Sequence, residues 1–151
     1  MERRLDHLVA GLPFGGRGVD EIRVAVPEDL PAIVELYRGL SSDSQRMRFS
    51  TSVSDDVLVR AAHLDDRFDA VIALSAGRVC GEARLEIDPE SDHEFAITVA
   101  DDVQGRGIGT ALLDALRGRA AERGIVRLRA LVRIDNVPML TLLRRAGRPS
   151  C

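Results

Sequence analysis

Val99-Ala100-Asp101-Asp102-Val103-Gln104-Gly105-Arg106-Gly107-Ile108-Gly109-Thr110-Ala111-Leu112-Leu113 is the stretch on which the reading of this chain turns. It joins the end of an alternating strand to the start of an amphipathic helix through a turn with glycine at 105, 107 and 109. Glycine adopts positive φ without a Cβ penalty, so the backbone can fold back sharply and aim successive N–H groups at one point. At a helix N-terminus those donors form an anion site, and the helix dipole adds about 0.3–2 kcal/mol depending on burial. Thr110 offers a hydroxyl and Arg106 a charge to the same phosphate. The other reading of such a loop is a tight turn that lets helix and sheet pack closely. A dinucleotide fingerprint is excluded: it opens a βαβ unit and is answered by an acid after the next strand, whereas here Arg127, Arg129 and Arg133 follow. The Gly-Lys-Ser/Thr ending of a Walker loop is also missing.

The strand feeding the loop spans His93 to Val99, with Phe95, Ile97 and Val99 on one face and Glu94, Ala96 and Thr98 on the other. The helix leaving it carries Ile108, Ala111, Leu112, Ala115 and Leu116 on one stripe and stops near Arg123-Gly124. Further upstream, Glu21 to Val26 reads as a strand and Pro27-Glu28-Asp29 as the start of a helix with Leu30, Ile33, Val34 and Tyr37 inside. Ser41 to Phe49 is polar with little periodicity and reads as a short helical turn and loop. Ser54-Asp55-Asp56 opens a helix to about His63. Ala70 to Leu74 and Val79 to Ile87 form a hairpin about Ala76-Gly77-Arg78. Downstream, Val126 to Val132 is a strand. Asp135-Asn136-Val137-Pro138 starts a last helix with Met139, Leu140, Leu142 and Leu143 inside and Gly147 closing it. The order predicts an α/β (α+β) domain over 21–151 with a central mixed, mostly antiparallel sheet flanked by helices. Residues 1–20, ending in the glycine-rich run Gly11 to Gly18, read as a flexible extension.

Composition removes several classes of function. The 151 residues suit one domain. A net charge of -3 and 3% aromatic residues with no Trp argue against a nucleic-acid binder that neutralises phosphates or stacks bases. All 21 basic residues are arginine, so a chain that acylated lysine would have none of its own to modify. Cys80 and Cys151 have neither metal-ligand spacing nor a disulfide framework, which fits a reducing cytoplasm. No metal site, signal peptide or membrane span is expected.

The stretch from Val99 to Leu113 resembles the acetyl-CoA motif of the GNAT superfamily of N-acetyltransferases. Asp135-Asn136 with Met139, Leu142, Leu143 and Arg145-Ala146-Gly147 is similar to that family's second cofactor motif. The resemblance covers about Ile22 to Gly147. Within the superfamily the chain looks most like the catalytic domains of bacterial protein lysine acetyltransferases (Pat-type), which modify enzymes such as acyl-CoA synthetases. Arg48-Phe49, Glu94 to Asp101 and Asp135 to Met139 carry that likeness. It implies acetyl-CoA as co-substrate and a protein lysine, or alternatively a small amine, as acceptor. It implies that the backbone of Gln104, Gly105, Arg106, Gly107, Ile108 and Gly109, with Thr110, takes the pyrophosphate. Ile97, Thr98 and Val99 would run along the pantetheine arm, with the peptide at Val99 polarising the thioester. Asn136 and Met139 would line the cofactor, and Glu94 matches the general base. On its own, Glu94 also reads as a solvated acid beside Asp92, and His93 as a strand-edge residue. Arg46, Arg48 and Phe49 either border the acceptor channel or form an ordinary surface loop.

Two departures stand out. Leu143 occupies the position of the tyrosine that in many members protonates the departing thiolate, so solvent would serve. The family's usual last two strands, on the order of 15–20 residues, do not follow Gly147 in this sequence; truncation, a frameshifted end, or pairing of the open edge of Val126 to Val132 within a homodimer would each account for that. A non-catalytic acyl-CoA-binding module is the alternative that these departures favour.

Overall fold

The computed structural model of the chain describes residues 19–49, 53–90 and 92–146. Most of the proposed extension, the Ser50 to Ser52 stretch and the closing Gly147 lie outside them. Five strands form one sheet in the order β1 (Glu21–Val24), β2 (Phe68–Ser75), β3 (Arg78–Glu86), β4 (His93–Val99), β5 (Leu128–Arg129). The first three pairings are antiparallel and the last is parallel. After a 3-10 turn at Pro27–Asp29 come α1 (Leu30–Arg38), α2 (Ser42–Phe49) and α3 (Asp55–Ala61). α4 (Ile108–Glu122) precedes β5, and α5 (Val137–Ala146) follows it. The domain takes up the chain earlier than the sequence suggests. Val19 is buried, and Asp20 donates its N–H to the Leu74 carbonyl (2.7 Å) and accepts from the Ala76 N–H (2.7 Å).

The helices cover the sheet from two sides. α4 lies on the face of Gly81, Ala83 and Leu85, burying Ile108, Leu112, Leu113 and Leu116. Each such side chain contributes about 1.5–3 kcal/mol of transfer free energy. Gly81 makes the approach possible, since a Cβ there would stand 2.9 Å from Leu112 Cδ1 and 3.3 Å from Ile108 Cγ2. On the opposite face, α1 buries Ile33, Val34, Leu36 and Tyr37. There Tyr37 donates to Glu82, whose carboxylate also takes Arg84 at 2.8 and 3.1 Å. Arg84 is tied in turn to the Ala62 carbonyl (2.9 Å). Glu82 and Arg84 are nearly inaccessible, and a buried charge pair of this kind persists because every donor and acceptor is matched.

Two expectations need correction. Residues 42–49 are helical throughout, where a short helical turn and loop were expected. α2 has no apolar stripe because it buries no residue; polar contacts hold it instead. The Ser41 N–H reaches Asp101 (3.2 Å), and the Gln45 amide reaches the Tyr37 carbonyl (3.1 Å). The strand expected over Val126 to Val132 pairs only at Leu128 and Arg129, because β5 departs from β4 immediately afterwards. Val126 before the pairing and Leu131 after it are both exposed. No strand follows α5 among the described residues.

Candidate active site

The divergence of β4 and β5 creates the site. Their register is His93↔Leu128 and Glu94↔Arg129, and no pairing continues beyond it among the described residues. The Ala100 N–H bonds the Cys80 carbonyl of β3 (2.8 Å). By the two-residue alternation of a strand, the peptide groups of Val99 and Ile97 point the other way, into the opening. The Val99 carbonyl accepts from the Gln104 side-chain amide at 3.0 Å, which ties the glycine loop to the strand. A cavity of about 500 Å³ fills the opening, large enough for an extended ligand.

The glycine loop closes one end of this cavity. Gly105 and Gly107 sit at φ +81° and +84°, the left-handed region that an L-side chain avoids, and Gly107 is the N-cap of α4. The first hydrogen bond of α4 is Ala111 N–H to the Gly107 carbonyl (3.1 Å). The N–H groups of Ile108, Gly109 and Thr110 thus have no acceptor within the helix. Nothing lies within 4 Å of the Cβ position at Gly105, so its backbone faces open space. At Gly109 a Cβ would stand 2.8 Å from Leu142 Cδ1 and close to Val99 and Ile97. That glycine is where α4, α5 and β4 meet. A concave row of donors beside a long apolar-walled cleft fits a diphosphate with an extended tail.

Of the residues singled out from the sequence, Ile97, Thr98, Val99, Gln104, Gly105, Gly107, Ile108, Gly109, Thr110, Asn136 and Met139 line this one cavity. Arg106 is in the loop but exposed and outside the lining, so its charge is not aimed inward. Asn136 also caps α5, its Oδ1 accepting from the Met139 N–H (3.3 Å). Glu94 is not in the lining either. It stands at the closed end of the opening, where β4 and β5 still pair, with Arg129 at 3.9 Å and a side chain 36% exposed. His93 Nδ1 accepts from the Asp88 N–H (2.9 Å), which commits that nitrogen to the turn.

The far wall of the cavity comes from α2. Asp43, Ser44, Met47 and Arg48 face it, and only Arg48 had been noted in the sequence. Arg48 Nε donates to Thr98 Oγ1 at 2.9 Å, and its guanidinium lies over the rings of Phe49 (4.6 Å) and Tyr37 (5.6 Å). This contact spans 50 residues of sequence, so no local pattern announces it. Tyr37 is the chain's one tyrosine. Burial, and then the neighbouring Glu82 carboxylate, push its phenol well above the usual range. With Leu143 packed against the core, no tyrosine hydroxyl is available to the cavity. Among the described residues no group of His, Cys, Asp and Glu is arranged to hold a metal, and no helix is long and apolar enough to cross a membrane.

Comparison with known proteins agrees with this geometry. Residues 30–147 match the model of a family described as the acetyltransferase (GNAT) family. The chain is 38% identical over 93 residues to a mycothiol acetyltransferase of Clavibacter sepedonicus, covering 56% of this chain but only 31% of that protein. It thus spans about a third of that relative's length. It is 31% identical over 136 residues to the L-methionine sulfoximine/L-methionine sulfone acetyltransferase of Pseudomonas aeruginosa, covering 83% of this chain and 78% of the relative. Among solved structures, the GNAT domain of S. lividans PAT superimposes with a TM-score of 0.73 at 28% identity, over 83% of this chain and 79% of that one.

Proposed function

This chain belongs to the acetyltransferase (GNAT) family, and from that premise we propose that it transfers the acetyl group of acetyl-CoA to an amine. The proposed acceptor is the side chain of a lysine in a protein substrate such as an acyl-CoA synthetase. The observation that carries the reading is the opening between β4 and β5, with the glycine-loop donors at one end and the edge of β4 at Val99, which β5 does not pair, along its side. Acetyl-CoA supplies a thioester. The N–H groups of residues 104–110 bind its diphosphate, and Ile97 to Val99 and Met139 flank its arm. Asn136 fixes the start of α5 against it.

The acceptor nitrogen attacks the thioester carbonyl carbon, a C–N bond forms, the C–S bond breaks, and the sulfur leaves with the electron pair. Charge gathering on the carbonyl oxygen is met by the Val99 N–H, which has no strand partner on that side. A lysine amine with pKa ~10.4 is mostly protonated at neutral pH, and freeing it costs roughly 4–5 kcal/mol. Glu94 lies outside the lining, and in this reading it takes that proton through water. With the only tyrosine buried on Glu82, the thiolate takes its proton from solvent.

The motif resemblance to Pat-type protein lysine acetyltransferases, together with the structural likeness to the GNAT domain of S. lividans PAT, supports a protein lysine as acceptor. The longer alignment with the methionine sulfoximine acetyltransferase favours a second reading, a small amine. Thiol release from acetyl-CoA decides between them, measured with a lysine-bearing protein and with small amines, for wild type and Glu94→Gln. We expect release with the protein acceptor and a loss of about 100-fold in kcat/KM on Glu94→Gln. Release with small amines alone selects the second reading. Tight acetyl-CoA binding with no release above background from any acceptor overturns both.

A further inference from the structure

Arg48 has chemistry that the proposed transfer leaves unused. Its Nε is committed to Thr98, and the plane of its guanidinium rests near Phe49 and Tyr37. The terminal nitrogens make no ion pair with a carboxylate among the described residues, although their side of the sheet contains several acids. Glu82 is occupied by Tyr37 and Arg84, and Asp43 by Arg46 at 2.9 Å. Arg48 is thus a cation fixed at three points at the wall of a cavity, with terminal donors that no acceptor among the described residues takes up.

β4 divides that cavity by face. Ile97 and Val99 look toward Gly109 and α4, the side to which the proposed reaction assigns the coenzyme. Thr98 and Arg48 are on the α2 side, which leaves them to the acceptor. Thr98 adjoins Val99, whose peptide meets the thioester carbonyl in the proposed reaction, so a group held by Arg48 lies within a few ångströms of the attacking amine. A guanidinium presents paired N–H donors that match the two oxygens of a carboxylate.

We propose that Arg48 anchors a carboxylate of the acceptor, and that the enzyme prefers amines with a carboxylate close by. This rests on the acetyl-transfer reading and narrows its acceptor. The carboxylate comes either from an acidic residue beside the lysine of a protein or from the α-carboxylate of a small amino acid, and paired acceptors distinguish the sources. One arm compares a blocked peptide containing Lys-Glu with the same peptide containing Lys-Gln. The other compares L-leucine with L-leucinamide. In wild type the carboxylate member of one pair is favoured by about 10- to 100-fold in kcat/KM, as a charge-assisted bidentate contact implies. Arg48→Gln brings that ratio close to one. A neighbouring carboxylate raises an amine's pKa and lowers its free-base fraction, which works against the expected preference. Equal turnover within both pairs overturns the anchor and leaves acetyl transfer standing. So does a preference that survives Arg48→Gln. Absence of turnover with all four acceptors counts against the transfer reading, and a binding measurement then judges the anchor separately. N-acetyl-L-leucine and its amide, and the Nε-acetylated peptide pair, are titrated onto the wild-type protein by calorimetry. Tighter binding of either carboxylate form supports the anchor, and indistinguishable affinities refute it. Both wild-type comparisons stand whether or not Arg48→Gln folds.

Discussion

Gly105 and Gly124 are placed so that one perturbation can be applied inside and outside the proposed phosphate cradle. Their φ values are +81° and +76°, and neither has an atom within 4 Å of where a Cβ would stand. Gly105 opens the loop ahead of α4, and Gly124 closes the same helix at its far end. Alanine at either position therefore introduces backbone strain and no clash. A left-handed conformation costs a non-glycine residue about 1–2 kcal/mol, and the stiffer unfolded chain gives back about 0.4–1 kcal/mol. Each variant is then less stable by roughly 0.5–1.5 kcal/mol, which for a domain near 150 residues lowers Tm by about 1–6 °C. Only Gly105→Ala disturbs the donors aimed at the diphosphate, and it adds a methyl to the space the ligand needs. Calorimetric titration with acetyl-CoA should show at least a tenfold weaker Kd for Gly105→Ala and an unchanged Kd for Gly124→Ala. Equal affinities for both variants and wild type would refute the cradle. Equal losses in both would show that affinity follows global stability and not the loop.

Removing the Tyr37 hydroxyl with Tyr37→Phe deprives the buried Glu82 carboxylate of a donor, and chemical denaturation should report a loss of about 1–3 kcal/mol. The slope of thiol release against pH should stay as in wild type, because that phenol has no part in the proton transfers. Asp29 accepts from Arg23 at 2.8 and 2.9 Å and from the Val26 N–H at 2.8 Å, and the Arg23 hydrogen bonds foremost hold its carboxyl below the usual range. A depressed carboxylate contributes stability that is present above its unfolded pKa, ~3.9, and is lost as pH falls through the lower folded value. Acid melts of Asp29→Asn should therefore lie below wild type at neutral pH and converge with it below about pH 4. Gly109→Ala would press on Leu142 Cδ1 at 2.8 Å and push α5 outward. A weaker acetyl-CoA Kd with little change in Tm is expected, since the methyl also favours the helix by up to about 1 kcal/mol.

Much of the fold was legible because it rests on local periodicity. β4 runs from His93 to Val99 as its alternation implied, and α4 has the expected stripe and glycine stop. The β2–β3 hairpin turns on Ala76 and Gly77. What escaped depends on partners distant in the chain. α2 is held by Asp101, by the Tyr37 carbonyl and by Thr98, none of which leaves an apolar signature in residues 42–49. Val126 to Val132 has an alternating pattern, yet it pairs with β4 at two residues only, because β5 departs from β4 after them. Pairing is a property of two strands, and a single strand's pattern cannot report it. The candidate site divides along the same line. The glycine loop announced itself, while Arg48 acquires its position only when α2 folds back over Thr98.

β4 shows how one short strand can serve three demands at once. Its alternation sends Phe95, Ile97 and Val99 to the α4 side, and Glu94, Ala96 and Thr98 to the α2 side. In the plane of the sheet, the N–H of Ala100 is bonded to β3, while the peptides of Ile97 and Val99 are turned to the opening. In the proposed reaction, cofactor packing, acceptor chemistry and backbone recognition are thereby separated in direction while staying within a few residues of one another. A register slip of one residue against β3 would exchange all three. Two sets of contacts oppose that slip: moving β3 would pull Glu82 and Arg84 from Tyr37 and the Ala62 carbonyl, and moving β4 would pull Thr98 from Arg48. The charged core thus fixes β3, and the Arg48–Thr98 contact fixes the open-edged β4 on which the proposed chemistry depends.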